Sequence, residues 1–202
     1  MLFRSRDLKP GNILVNEAGD VKLLDFGIAK LIESDEEPGA PAQTQRLFTP
    51  EHAAPEQLQG DPVGTATDVY ALGVLLYRLL VAQHPTATPG QTPVEHLRGV
   101  VERQPRPPSE VAAQLDAEAC ARRAADAKAL ARQLRGDLDT IVAKALKKSP
   151  AERYAGAAAF ADDLRRWCQG LPVLARPDSA GYRLRLFVRR HRLALGATAM
   201  VF

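Results

Sequence analysis

The order of hydrophobic and polar positions predicts a short hairpin followed by helices. The stretch ILVNEAGDVKLLD has two apolar runs, Ile13 to Val15 and Val21 to Leu24, around an Asn/Gly/Asp turn, which indicates a β-hairpin. The stretch TDVYALGVLLYRLLV is apolar on almost every side, as in a helix buried in a core. Amphipathic helices are predicted at about Pro93 to Glu102, Asp137 to Lys147 and Ala155 to Cys168. The pattern predicts an α+β fold that is mainly α.

Two stretches interrupt this pattern. Residues 25–56 have a Pro-, Gly- and Glu-rich middle, which predicts a mobile loop. Glu110 to Arg135 is rich in Ala, Arg and Gln and predicts one inserted, exposed helix.

Composition fits a soluble globular protein, because 46% of the 202 residues are hydrophobic and 25% are charged. The two cysteines, Cys120 and Cys168, are far apart and form no Cys-x-x-Cys motif, so neither a disulfide framework nor a zinc site is predicted. A reducing, intracellular setting fits this pattern.

The charge is concentrated at the C-terminal end. From Arg176 onward the chain has six arginines and one acid, Asp178, a net charge of +5 that leaves −2 on the first 175 residues. A basic terminus on a slightly acidic body indicates a surface-binding or membrane-flanking tail and no nucleic-acid-binding domain. Ten uncharged, mostly apolar residues follow, Leu193 to Phe202. Because a bilayer span needs about 20 such residues, this run is either a short apolar end or the start of a truncated transmembrane helix.

Several short motifs occur in a fixed order. They are RDLKPGN at residues 6–12, DFG at 25–27, APE at 54–56 and DVYALG at 68–73. Each alone has an ordinary explanation as a turn or a helix cap. Together they match about ten specified positions in the right order, which makes coincidence negligible. This set resembles the protein kinases, and the later stretches RGDLDTIVAKALKKSPAERYAG and GYRLRLFVRRHR resemble bacterial serine/threonine kinases that continue into a membrane helix.

The resemblance implies ATP and Mg²⁺ as cofactors and protein hydroxyls as substrates. Asp7 would orient the substrate hydroxyl or accept its proton, and Lys9 would place a positive charge near the transferred phosphoryl group. Lysine at this position is typical of serine/threonine kinases. Asn12 and Asp25 would supply oxygen ligands to Mg²⁺, and the hairpin between them would set their separation.

Residues 25–56 resemble an activation segment with candidate phosphorylation sites at Ser34, Thr44 and Thr49. Thr49, seven residues before Glu56, matches a threonine that lines the substrate side of the kinase site. Thr44 is the better regulatory candidate, because Arg6 could pair with a phosphate there. A solvated loop threonine is the alternative.

Three residues are expected to hold the lobe together. Glu56 matches the kinase glutamate that pairs with a late arginine, and Arg153 stands at the matching position. Asp68 resembles the aspartate that accepts hydrogen bonds from the catalytic-loop backbone and would hold Asp7 in place. A plain acid at a helix N-terminus is the alternative for Asp68, and the two roles can coexist.

The resemblance is limited to the C-terminal lobe of a kinase, a helical lobe with a short β-hairpin that bears the catalytic and DFG loops. Ser5 stands where the pattern has a histidine, and residues 1–5 are expected to be an irregular or non-native start. Residues 6–170 would form the lobe, 171–192 a basic juxtamembrane linker, and 193–202 the truncated apolar segment. The N-terminal lobe is expected to be absent, since no Gly-x-Gly-x-x-Gly motif occurs.

These features predict the cytoplasmic lobe of a single-pass inner-membrane kinase. The 202-residue chain alone is expected to bind ATP weakly and to have little or no activity. Two other function classes are a degenerate kinase lobe that acts as a scaffold and a small-molecule phosphotransferase. Retention of Asp7, Lys9, Asn12 and Asp25 argues against the scaffold, and Lys9 with the APE motif argues against the small-molecule enzyme.

Overall fold

The computed structural model describes residues 10–24, 52–123, 125–177, 181, 182 and 186. In its first part, a 3₁₀ turn at Pro10–Asn12 leads into strands β1 (Ile13–Val15) and β2 (Val21–Leu23). The strands are antiparallel, with Leu14 opposite Lys22. The predicted hairpin is therefore confirmed.

The turn of the hairpin is stabilised by its own polar residues. The Asn16 side chain accepts a hydrogen bond from the Asp20 backbone N–H at 2.7 Å and donates one to the Asp20 carboxylate at 2.9 Å. Gly19 has φ = 85°, a conformation that residues with a Cβ rarely adopt. The Asn, Gly and Asp of the sequence thus each have a geometric reason to be in this turn.

The remainder of the described chain is helical. The α-helices, in chain order, are α1 (Pro55–Gln59), α2 (Thr65–Val81), α3 (Pro93–Glu102), α4 (Pro108–Ala112), α5 (Ala117–Ala121), α6 (Ala127–Leu134), α7 (Asp137–Ala145) and α8 (Ala157–Cys168). A 3₁₀ turn at Pro150–Glu152 joins the last two. The predicted amphipathic helices correspond to α3, α7 and α8.

Helix α2 is the centre of the lobe, as its apolar sequence predicts. Val69, Tyr70 and Val74 are fully buried, and the helix packs on α4, α7 and α8. Near the C-terminal end of the helix Leu79 is 67% exposed. Helix α7 approaches α2 so closely at Gly73 that an added Cβ would lie 3.0 Å from the Ala145 Cβ.

The ends of α2 and α3 show why the chain turns there. Helix α2 ends at Ala82, which has a left-handed φ of 57° and donates its N–H to the Arg78 carbonyl. Helix α3 begins after Thr92, whose hydroxyl accepts the Glu95 N–H while the Glu95 carboxylate accepts the Thr92 N–H. This reciprocal pair is a capping box, and Pro93 occupies the first helical position.

The prediction of one exposed helix over Glu110 to Arg135 is wrong. The structure has three short helices in this stretch, α4, α5 and α6, and part of each is buried. Leu130 and Leu134 of α6 are 7% and 2% exposed and pack in the core. The Ala-rich composition concealed an amphipathic helix, whose few large apolar side chains recur at helical spacing.

The chain stays in contact with the helical lobe beyond residue 170, the predicted end of the lobe. Val173 is 3% exposed and packs with Ile141 and Phe160, so the chain remains attached to the lobe beyond α8. Within the described residues no helix is both long enough and apolar enough to cross a bilayer.

Candidate functional site

The end of the hairpin is hydrogen-bonded to one predicted site residue, Asn12. The backbone N–H of Leu24 donates to the backbone carbonyl of Asn12 at 2.8 Å. Asn12 is half-buried at the end of the 3₁₀ turn that precedes β1. Leu24 is the residue that precedes the DFG motif in sequence.

Several predicted site residues lie outside the described residues. They are Arg6, Asp7, Lys9, Asp25, Thr44 and Thr49, and Ser5 and Ser34 lie outside as well. Their roles stay predictions. Of the proposed Mg²⁺ ligands, the structure describes Asn12.

The other predicted pair, Glu56 and Arg153, is brought together by the structure. The guanidinium contacts the carboxylate through two hydrogen bonds, Nη1 to Oε1 at 2.7 Å and Nη2 to Oε2 at 2.8 Å. The two side chains are 4% and 0% exposed, for Glu56 and Arg153 respectively. This bidentate, buried geometry is the strongest form of an arginine–carboxylate pair.

Arg153 has an acceptor for each of its five N–H groups. Besides the two bonds to Glu56, it donates to three backbone carbonyls, those of Ala66, Lys147 and Lys148. Its guanidinium carbon also lies 4.9 Å from the centroid of the buried Tyr70 ring. The arginine therefore joins α1, the start of α2 and the turn after α7 into one unit.

Glu56 has a further partner that the sequence did not suggest. The Thr67 hydroxyl donates to Glu56 Oε1 at 2.8 Å and is itself contacted by the Gly64 N–H. The available signal was the hydroxyl of Thr67 on a helix predicted to be buried, since a buried hydroxyl needs a partner.

The pKa of the Glu56 carboxyl reflects opposing effects. Burial raises the pKa, while hydrogen bonds from Arg153, the backbone and Thr67 lower it, and the net result is a pKa below the ordinary value of 4.5. Burial raises the pKa of the neighbouring Tyr70 hydroxyl well above its ordinary value. Glu56 is thus a carboxylate at neutral pH, as the ion pair requires.

Asp68 lies in the first turn of α2, where its carboxylate is favourably placed relative to the helix dipole, and is half-buried. The catalytic loop that it is predicted to hold lies outside the described residues. Its bracing role therefore stays a prediction.

Both faces of the hairpin carry exposed apolar side chains. Leu14 is 53% exposed on one face, and Val15 and Val21, which are paired across the strands, are 64% and 67% exposed on the other. Leu24 is 56% exposed. A two-stranded hairpin is marginally stable alone, so side chains of this kind favour a covering partner.

Comparison with known proteins supplies the family context. The model of the protein kinase domain matches residues 2–164. The chain is 36% identical over 160 residues to a probable serine/threonine-protein kinase of Corynebacterium efficiens, a match that covers 79% of this chain and 21% of that protein. It is 35% identical over 167 residues to the serine/threonine-protein kinase PknB of Mycobacterium tuberculosis, covering 83% and 23% of the two chains. It is 34% identical over 168 residues to the serine/threonine-protein kinase PknB of Mycobacterium leprae, again covering 83% of this chain and 23% of that protein. The chain thus spans about a fifth of the length of these relatives.

Proposed function

Because this chain belongs to the protein kinase family, we propose that it supplies the catalytic lobe of a serine/threonine protein kinase. The reaction is transfer of the γ-phosphoryl group of ATP to serine or threonine hydroxyls of protein substrates. The relatives that match most of this chain's length are named serine/threonine-protein kinases, which favours this activity over a scaffold.

The single observation that supports the site most directly is the Leu24 to Asn12 hydrogen bond. It joins the residue that precedes Asp25 in sequence to Asn12, which supports a site shared by Asn12 and Asp25. Amide and carboxylate oxygens suit Mg²⁺, so Asn12 and Asp25 fit as its ligands. When bound, Mg²⁺ neutralises charge on the phosphates of ATP.

The protein residues do the remaining work in this proposal. Asp7 orients the attacking hydroxyl and accepts its proton. Lys9, two residues further on, places a positive charge where negative charge develops on the transferred group. Positioning of this kind accounts for most of the catalysis of phosphoryl transfer, because there is little covalent chemistry for the protein to do.

Described contacts hold Leu24, the residue before the 25–56 stretch, and Glu56, its last residue. Leu24 is held by its backbone hydrogen bond to Asn12. Glu56 is held by its ion pair with Arg153 and by the hydrogen bond from the Thr67 hydroxyl. In this proposal the segment presents a protein substrate to the catalytic loop, and phosphorylation in its middle regulates this. We propose that Thr44 is its regulatory phosphorylation site and Arg6 its phosphate partner, and that Thr49 lines the substrate side. If so, Thr44→Ala should lower activity, and unchanged activity would remove Thr44 from this role.

The basic C-terminal segment supports attachment to a membrane. Its net charge of +5 from Arg176 onward precedes an uncharged, mostly apolar run. Each arginine near the surface contributes about 1 kcal/mol of attraction to an anionic leaflet. The kinase lobe would then act at the cytoplasmic face of the membrane.

A chimera tests the proposed activity. It joins the part of Mycobacterium tuberculosis PknB that precedes the matching catalytic loop to this chain from Arg6 onward. With radiolabelled ATP, Mg²⁺ and a mixed peptide library, the chimera should label serine and threonine residues. A chimera that folds and binds ATP but labels no peptide would contradict the proposal and favour the scaffold. Labelling of small metabolites but not of peptides would favour a small-molecule phosphotransferase.

A further inference from the structure

The chain that follows α8 is docked on the helical lobe. We define the strap as residues 171–182, of which the structure describes 171–177, 181 and 182. Helix α8 ends before Gly170, which has a left-handed φ of 65° and turns the chain back. Leu171 then donates its N–H to the Arg166 carbonyl at 2.8 Å, and Arg166 Nη1 donates to the Pro172 carbonyl at 3.1 Å.

A buried carboxylate on α8 is the main anchor of the strap. Asp163 is 0% exposed and accepts hydrogen bonds from the backbone N–H groups of Leu174 and Ala175. It also accepts one from the Tyr154 hydroxyl at 2.9 Å. Asp163 therefore has three donors, two of them from the strap, and charge-assisted bonds of this type are about twice as strong as neutral ones.

A second anchor involves Tyr182 and the start of α7. The Tyr182 hydroxyl accepts the Val173 N–H at 3.1 Å, and the Tyr182 residue is 8% exposed. The Arg176 guanidinium lies 4.9 Å from the Tyr182 ring centroid and 3.4 Å from an Asp137 oxygen. The strap thus contacts the lobe at α8, in the core beneath Val173, and at the N-terminus of α7.

The basic segment begins directly after the strap, with no linker residues between them. Arg183, the first of five arginines over residues 183–192, directly follows the docked Tyr182. A flexible linker over residues 171–192 would have a root-mean-square span of about 25 Å, and would let the lobe rotate freely. The docked contacts of residues 171–176 and of Tyr182 remove most of that freedom.

We propose that the strap fixes the place from which the basic segment leaves the lobe, so that binding of this segment to an anionic lipid surface orients the lobe against that surface. The inference deepens the membrane attachment proposed above and rests on it. The N-terminal end of α7, where Asp137 contacts Arg176 of the strap, faces the lipid. Ala145, at the opposite end of α7, is about 12 Å along the helix from Asp137, and Ser149 lies beyond that end.

Hydrogen exchange of the 202-residue chain tests the docking alone. The amides of Val173, Leu174 and Ala175 should exchange as slowly as those of α8. In Tyr182→Phe the Val173 amide should exchange about fivefold faster, because its acceptor is gone. Tyr70→Phe is the matched control, since within the described residues the Tyr70 hydroxyl has no hydrogen-bond partner, and it should leave the strap amides unchanged. Unprotected strap amides beside a protected α8 would overturn the inference.

Labelled protein on vesicles tests the orientation. A fluorophore is attached either at Cys168, which is exposed, or at Ser149→Cys in a Cys168→Ser background, and vesicles of phosphatidylglycerol contain a quencher-bearing lipid. Cys120 is buried and should react slowly. Quenching should be at least about threefold stronger at Cys168. Insertion of twelve Gly/Ser residues between Tyr182 and Arg183 should leave co-sedimentation unchanged and bring the ratio near one, whereas the same residues placed before Met1 should not.

The outcomes separate the inference from the proposals on which it rests. Equal quenching at the two sites, in protein that co-sediments with the vesicles, would overturn the proposed orientation but not the membrane attachment. No co-sedimentation with anionic vesicles would overturn both. Neither result bears on the kinase activity, which the chimera measures.

Discussion

Removal of Arg153 should be the most destabilising single substitution at the Glu56 ion pair. In Arg153→Met the Glu56 carboxylate stays buried without its two strongest donors, and three backbone carbonyls lose their N–H partners. Breaking a buried pair on one side costs about 3–5 kcal/mol. Whole domains are stable by about 5–15 kcal/mol, so this is a large share of the total.

Urea unfolding measures this loss, with the fluorescence of Trp167, the single tryptophan of the chain, as the probe. With a slope near 2 kcal/mol per molar urea, the midpoint should fall by about 2 M. The control is Arg98→Met, because Arg98 and Glu102 form an exposed pair with side chains 75% and 57% accessible. Such pairs contribute at most about 1 kcal/mol. Equal midpoint changes for the two variants would refute the reasoning.

The pH dependence gives a second, sharper signature. In the parent chain the pKa of Glu56 lies below 4.5, so its contribution to stability is present above about pH 4.5 and lost as the pH falls further. Without Arg153, burial dominates and the pKa of Glu56 rises, so the charged form opposes folding. The stability difference between parent and variant should therefore shrink as the pH falls from 7 to 4. A constant difference over this range would contradict the assigned cause.

Two backbone positions allow further predictions. Ala82→Gly should stabilise the chain by about 1 kcal/mol, because φ = 57° strains any residue with a Cβ; a lower urea midpoint would contradict this. Gly73→Ala should destabilise it by about 1–3 kcal/mol, because the new Cβ would lie 3.0 Å from that of Ala145; an unchanged midpoint would show that α2 and α7 separate easily.

Local patterns in the sequence predicted much of this fold. The turn residues and apolar runs predicted the hairpin, and the apolar stretch predicted α2 as the core helix. The Glu56 and Arg153 pair, 97 positions apart, was expected from the family resemblance, because local patterns cannot show that two such distant residues meet.

The features that were missed depend on tertiary contacts. Asp163 stands in the helical stretch ADDLRR, where an acid next to arginines reads as a solvated surface residue. Its burial depends on a strap that returns over α8, and the strap falls in the stretch that was predicted to be a basic juxtamembrane linker. Helix α6 was missed because alanines hid the spacing of Leu130 and Leu134.

The central claim, that this chain is a kinase catalytic lobe, is tested most directly by the effect of Asp7 on phosphoryl transfer. In the chimera, Asp7→Asn should reduce labelling of serine and threonine peptides by at least about 100-fold, because the group that orients the hydroxyl and accepts its proton is lost. Glu17→Gln, a change of an exposed acid in the hairpin turn, should leave the rate unchanged. Full activity of the Asp7→Asn chimera would contradict the account.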